Sequence, residues 1–159
     1  MAVQVGQSPN DFAAFVPMMH AAQAAAQHLH GHTSDERQVI GTVLADAGYA
    51  SDANLAAPGP DRLIALGKTR EQAEAARTTP TTGPAPDDAT PRQVMSHRLR
   101  TPEGMKLYKR RGATVEPGIG NLKKIIDRFS RRGLDAATSE LHLAAAAFNV
   151  RKIHRAAHA

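Results

Sequence analysis

The sequence predicts a mixed α/β fold in which a few short strands precede a mostly helical, basic carboxy-terminal half. Three observations carry that expectation. The run Val39-Ile40-Gly41-Thr42-Val43-Leu44-Ala45 is almost wholly apolar and ends in one carboxylate, Asp46, followed by a Gly-containing turn. Such a run suits a buried strand, and the carboxyl edge of such strands is where α/β sheets place chemistry. Through residue 68 the candidate elements alternate as strand, helix, strand, helix, strand. Charge is also divided: residues 1–91 carry five Lys and Arg against ten Asp and Glu, whereas residues 92–159 carry fifteen against five.

In order, residues 2–5 alternate small and apolar side chains and suit a short strand, closed by Gly6 and the Ser8-Pro9-Asn10 turn. Asn10 can cap an alanine-rich helix toward Leu29, with Pro17 as a kink or restart and Gly31 near its end. Residues 38–45 form the buried strand, 52–57 a short helix and 62–66 a further strand. From Gly67 to about Pro91 the chain turns to Thr, Pro, Ala and Asp, a composition that buries too little apolar surface to offset ordering entropy. A mobile linker or insertion is expected there. The division that follows is residues 1–68, a linker 69–92, and a basic helical part 93–159.

Within that last part, Thr101 caps a helix whose first residue is Pro102. Leu122, Ile125, Ile126 and Phe129 recur at i, i+3, i+4 and i+7, opposite Lys123, Lys124, Asp127 and Arg128, as on an amphipathic helix. The last helix, residues 134–154, is apolar nearly all round between Leu141 and Val150, which suits an element covered on several sides.

Much of the 42% hydrophobic fraction is alanine, and there is no Trp to anchor a core, which is expected to be thin. Without cysteine, neither a disulfide framework nor a thiolate zinc site can form. The amino terminus has no basic start followed by an apolar run, so a soluble, cytoplasmic chain is expected. His28, His30 and His32 alternate at a helix exit and offer no tetrahedral ligand set; polar loop residues are the simpler reading.

Two acidic residues draw attention, and each has an ordinary reading. Asp46 can simply end a strand and cap the next turn. Glu116 can complement the dipole of a helix beginning at Thr114, with Pro117 where no internal N–H is needed. Their surroundings decide between readings. The ordered series Ala45-Asp46-Ala47-Gly48-Tyr49, Asp61-Arg62-Leu63-Ile64-Ala65-Leu66-Gly67-Lys68, Leu99-Arg100-Thr101-Pro102-Glu103-Gly104, Tyr108-Lys109-Arg110-Arg111 and Thr114-Val115-Glu116-Pro117 resembles the DDE transposases of bacterial insertion sequences. Phe129-Ser130-Arg131-Arg132-Gly133-Leu134 and Phe148-Asn149-Val150-Arg151-Lys152-Ile153-His154 continue the likeness over nearly the whole chain.

The resemblance implies a partial ribonuclease-H-like fold, with Asp46 as the second catalytic aspartate and Glu116 as the terminal glutamate, both metal ligands. Lys123 would be the helical lysine that contacts transposon-end DNA, and Tyr108 and Arg111 the aromatic and basic residues before the glutamate. The charge pattern adds Lys124, Arg128, Arg131 and Arg132 as DNA contacts. Phosphodiester hydrolysis and strand transfer through two divalent cations require hard oxygen ligands, so Mg²⁺ or Mn²⁺ is the implied cofactor. DNA is the implied partner, with a homodimer among the states open to a full-length member, no membrane, and a nucleoid-associated location.

Departures from the family pattern are also legible. Gly112 stands where a basic residue is usual, four positions before the glutamate, and Gly118-Ile119 replaces the bulky pair that commonly follows Glu-Pro. The first aspartate belongs to an upstream strand, and Asp11, at a helix start, is no substitute. The expectation is therefore a carboxy-terminal, inactive fragment whose sheet, of family order 3-2-1-4-5, would begin at its third strand and leave an unpaired edge. The alternative is a non-catalytic nucleic-acid-binding module or transposition inhibitor.

Overall fold

A computed structural model of the chain describes residues 3–8, 10–32 and 40–158, apart from the side chains of Leu29, His30, His32 and Glu116. It divides into two compact units, Asn10–Gly112 and Ala113–Ala159 with the amino-terminal residues. The secondary structure is mixed α/β and mostly helical, with two parallel strands among the described residues.

In the unit of residues 10–112, a 3₁₀ turn, Phe12–Ala14, leads into α1, Phe15–His32. Pro17 falls in the first turn of α1, where a missing N–H is tolerated, so no kink or restart is needed. Strand β1, Thr42–Ala45, is followed by a 3₁₀ turn, Ala47–Tyr49, and by α2, Asp52–Ala56, before β2, Asp61–Ile64. The strands are parallel, with Thr42 opposite Asp61 and Ala45 opposite Ile64. A parallel pair needs such a crossover, because a tight hairpin can only reverse the chain. Ser51 begins α2 by accepting a hydrogen bond from the Asn54 N–H.

Expectations fail at three places here. Residues 3–7 form no strand, and of the expected strand 38–45 residues 38 and 39 lie outside the described residues while β1 spans the last four. Where a linker was expected, α3 runs over Thr69–Thr78. The composition of 67–91 misled as an average: TREQAEAART is rich in helix formers, and the Pro and Gly residues lie beyond it. The Lys68 N–H donates to the Glu71 carboxylate at 3.2 Å, and Arg77 pairs with Glu74 one turn away. The irregular remainder is fastened to the next helix, since the Thr81 hydroxyl donates to the His97 carbonyl at 2.6 Å.

Helix α4, Pro91–Arg100, starts at a capping box in which the Thr90 hydroxyl accepts from the Gln93 N–H and the Gln93 side chain accepts from the Thr90 N–H. It lies along the outer edge of β2. In a parallel strand alternate residues turn their backbone groups to opposite sides; Ala65 donates toward β1, to the Ala45 carbonyl. The groups facing away are met by α4 side chains, the Ile64 N–H donating to the Met95 sulfur at 3.3 Å and Arg98 donating to the Arg62 carbonyl at 3.2 Å. Arg98 also grips Asp61 with both guanidinium nitrogens, at 2.6 and 2.8 Å, while Thr42 donates to the same carboxylate. Leu63, Ile64, Phe15, Met19, Leu55, Met95, Leu99 and Tyr108 form the apolar core beneath. Its two buried polar residues are bonded: Asn54 donates to the Phe12 and Tyr49 carbonyls, and Arg62 donates to the Asn54 carbonyl.

Helix α5, Pro102–Ile125, begins as expected, the Thr101 hydroxyl accepting from the Gly104 N–H at 3.0 Å. A side chain at Gly104 would collide with the Arg98 carbonyl, so glycine permits the tight passage from α4 to α5. Glu116 and Pro117 stand inside this helix, so the expected start at Thr114 is corrected. The amphipathic stripe is corrected as well. Helix α5 ends at Ile125, leaving Ile126 and Phe129 in a loop. Glu140, on α6 (Leu134–Ala157), draws that loop back by accepting from the Ser130 and Arg131 N–H groups, and Gly133 at φ 95° turns the chain into α6. On α6, Ala144, Ala145 and Phe148 are buried whereas Leu143, Val150 and Ile153 are 64–73% exposed, so the helix is less covered than its all-round apolarity suggested.

The Arg98 clamp holds the Asp61 carboxyl below its ordinary titration range. A carboxylate depressed in the fold stabilises it above the unfolded pKa, and that contribution is lost as pH falls through the folded value. Both side chains are more than one-third exposed, so Asp61→Asn should cost only about 0.5–1 kcal/mol at neutral pH. The difference between wild type and variant in urea unfolding should shrink toward zero in acid. A difference independent of pH would show that the clamp does not act through charge.

Candidate functional site

Asp46 ends β1, and its position follows from the strand: the chain leaves the sheet there and bends at once into the 3₁₀ turn of residues 47–49. One carboxylate oxygen accepts from the Gly48 N–H at 3.0 Å and the other accepts from Arg111 at 2.8 Å. The carboxylate is nonetheless 45% exposed and retains acceptor capacity, since an ionised carboxylate has about four lone-pair sites. At Gly48 a Cβ would stand 3.1 Å from Asp46 Oδ1, a tight approach, and 3.6 Å from Asp11 Oδ2, an ordinary contact. The turn therefore has Asp11 as well as Asp46 at its border, a juxtaposition that no sequence spacing signals.

Two tyrosines register this charge. Burial raises the Tyr49 hydroxyl pKa above its ordinary value, and Asp11 and Asp46 raise it further against the opposing pull of Arg111. Burial raises Tyr108 likewise, with Arg111 lowering and Asp46 raising it. Tyr108 is 5% exposed within the core, so it supports the turn from inside and does not offer its ring at the surface. Arg111 is largely covered and engaged with Asp46.

Of the other sequence-predicted residues, Lys123 and Lys124 lie exposed at the end of α5, and Arg128, Arg131 and Arg132 are exposed on the loop that Glu140 holds. The Glu140 carboxyl is lowered below its ordinary range, first by the Ser130 N–H. The Glu116 side chain lies outside the described residues, as do those of His30 and His32. As a hard, exposed carboxylate Asp46 suits Mg²⁺ or Mn²⁺, but among the described residues no three His, Cys, Asp or Glu side chains gather into a metal-holding group. Nor, among them, is any helix long and apolar enough to cross a membrane.

With two tyrosines and no Trp in the chain, alkaline absorbance titration reads this site directly. Arg111→Gln should raise the mean tyrosine pKa and Asp46→Asn should lower it, because the first removes a stabiliser of tyrosinate and the second a repelling charge. Shifts of the same sign in both variants would separate the ion pair from the tyrosines.

No curated protein and no solved structure matches the chain significantly. Residues 68–154 match the family described as Transposase DDE domain, a stretch that contains Glu116, Lys123 and the exposed cations but begins after Asp46. Because the match covers more than half of the sequence and agrees with the ordered series of motifs, the chain belongs to the transposase DDE domain family.

Proposed function

We propose that this transposase chain engages transposon-end DNA through its basic half, with Asp46 and Glu116 as the carboxylates that face divalent metal. What carries the reading is the family match across Glu116 and Lys123, together with the exposure of Lys123, Lys124, Arg128, Arg131 and Arg132. Asp46 supports it by standing, partly exposed, where a β1 strand releases the chain. The parallel βαβ order agrees with a ribonuclease-H-like ancestry. Mg²⁺ or Mn²⁺ would supply activation of a nucleophile and charge neutralisation at the leaving oxygen. The protein's own part is to present carboxylates to the metal and cations to the phosphates. Arg111 fixes the Asp46 rotamer in this scheme, and the nucleoid is its expected location.

A second reading, a nucleic-acid-binding module or transposition inhibitor without catalysis, is favoured by one observation. Both Asp46 oxygens already accept hydrogen bonds from the protein, from Gly48 and Arg111. Metal dependence divides the two readings.

With both Asp46 oxygens already accepting hydrogen bonds from Gly48 and Arg111, the 159-residue chain alone should bind duplex DNA without joining strands in Mg²⁺ or Mn²⁺. Replacing Lys123, Lys124, Arg128, Arg131 and Arg132 by Gln should flatten the slope of log affinity against log salt by about 0.9 for each phosphate no longer neutralised. Asp46→Ala should leave binding within about twofold of wild type. Metal-dependent strand joining abolished by Asp46→Ala would overturn the inactive reading, and an unchanged salt slope in the five-residue variant would remove those cations from the interface.

A further inference from the structure

A second cationic feature lies apart from the residues just named. In the unit of residues 113–159, a cleft of about 350 Å³ opens between α5 and α6, with Thr114, Pro117 and Gly118 on one side and Phe148, Arg151, Lys152 and Arg155 on the other. Arg151 and Arg155 stand one helical turn apart and so share a face, with Lys152 beside them. All three are exposed. The Lys152 ammonium sits 5.4 Å from the centre of the Phe148 ring, a cation–π contact that keeps it on the cleft wall. Among the described lining residues there is no carboxylate to offset three positive charges within five positions.

We propose that this cleft binds successive phosphates of a DNA strand, with Arg151, Lys152 and Arg155 as the contacts. The inference rests on the DNA-binding reading above and adds to it a site formed by different residues. Like charges gathered on one helical face repel, and a bound polyanion turns that repulsion into attraction. Apolar walls, here Phe148, Pro117 and Ala113, concentrate the field within a concave site more than a convex basic face would. Arginine suits the task because its planar fork matches phosphate oxygens in pairs. Gly118 is among the residues that line the cleft.

The test is binding of the full chain to a labelled DNA duplex across a series of salt concentrations. Arg151→Gln, Lys152→Gln and Arg155→Gln combined should reduce the salt slope by about 2–3, from roughly 0.9 per phosphate, with helix content by circular dichroism unchanged. Arg151→Lys with Arg155→Lys should preserve the slope. Gly118→Leu, which keeps every charge and adds bulk at a lining residue, should weaken binding about tenfold or more. If the triple variant keeps the wild-type slope while the five-residue variant of the other basic surface loses part of it, the cleft is overturned and the DNA-binding reading stands. No binding of wild type to any duplex overturns both. Titration with inorganic phosphate, followed by the amide resonances of residues 149–155, separates the two sources of phosphate. Saturation at micromolar phosphate that the triple variant abolishes, without effect of that variant on DNA affinity, would make the cleft a small-anion site and overturn the strand contact.

Discussion

Everything in the unit of residues 10–112 depends on how α4 covers the free edge of β2. A two-stranded parallel sheet has an exposed row of backbone donors and acceptors on each outer side, which invites pairing with another chain. Here a helix supplies the missing partners through side chains. Arg98 donates to the Arg62 carbonyl and Met95 accepts from the Ile64 N–H, so two outward groups of β2 are met without a third strand. Because Arg98 also grips Asp61, which accepts from Thr42 on β1, one guanidinium fixes α4, β2 and β1 together.

That arrangement determines what Asp46 can be. The β1 strand is short, and its register with β2 places Ala45 opposite the fully buried Ile64. The next residue is the first free of the ladder, and there the Asp46 backbone is extended at φ −83° and ψ 178° before the turn closes. A carboxylate in that position is held by rigid structure on one side and meets solvent on the other. The ordinary reading of Asp46, as a turn cap paired to an arginine, and the catalytic reading use the same geometry. They differ in whether a cation can compete with Arg111 for Oδ2.

How much of this was legible in the sequence depended on the range of the interaction. Local signals succeeded in part: the apolar run into Asp46 is a strand over its last four residues, the Thr101-Pro102 start of α5 holds, and the strand candidate at 62–66 is found at Asp61–Ile64. Interactions between distant positions left no trace. Nothing about Asp61 announces Arg98, and nothing about Asp11 announces Tyr49, because groups that meet only in the fold impose no spacing on the chain. Averages misled in both directions. The Pro and Thr of residues 79–90 hid the helix-forming stretch before them, and the apolar period through Phe129 concealed a loop because Glu140 captures backbone groups that a helix would have used.

The unit of residues 113–159 poses a different balance. Alanine lets helices approach closely but buries little area, and Ala144 and Ala145 are two of the three buried residues described on α6. Meanwhile Leu143, Val150 and Ile153 remain in solvent, and cations crowd the end of α5, the loop and the end of α6. A weak apolar term set against mutual repulsion leaves little margin for folding. A polyanion that binds only the folded form adds RT ln(1 + [L]/Kd), about 2.7 kcal/mol at a hundredfold excess over Kd, a large share of the stability of a small unit. On the proposed reading, folding of these helices and recognition of phosphate are coupled by the same charges, since the cations that repel one another in the isolated unit are those assigned to DNA.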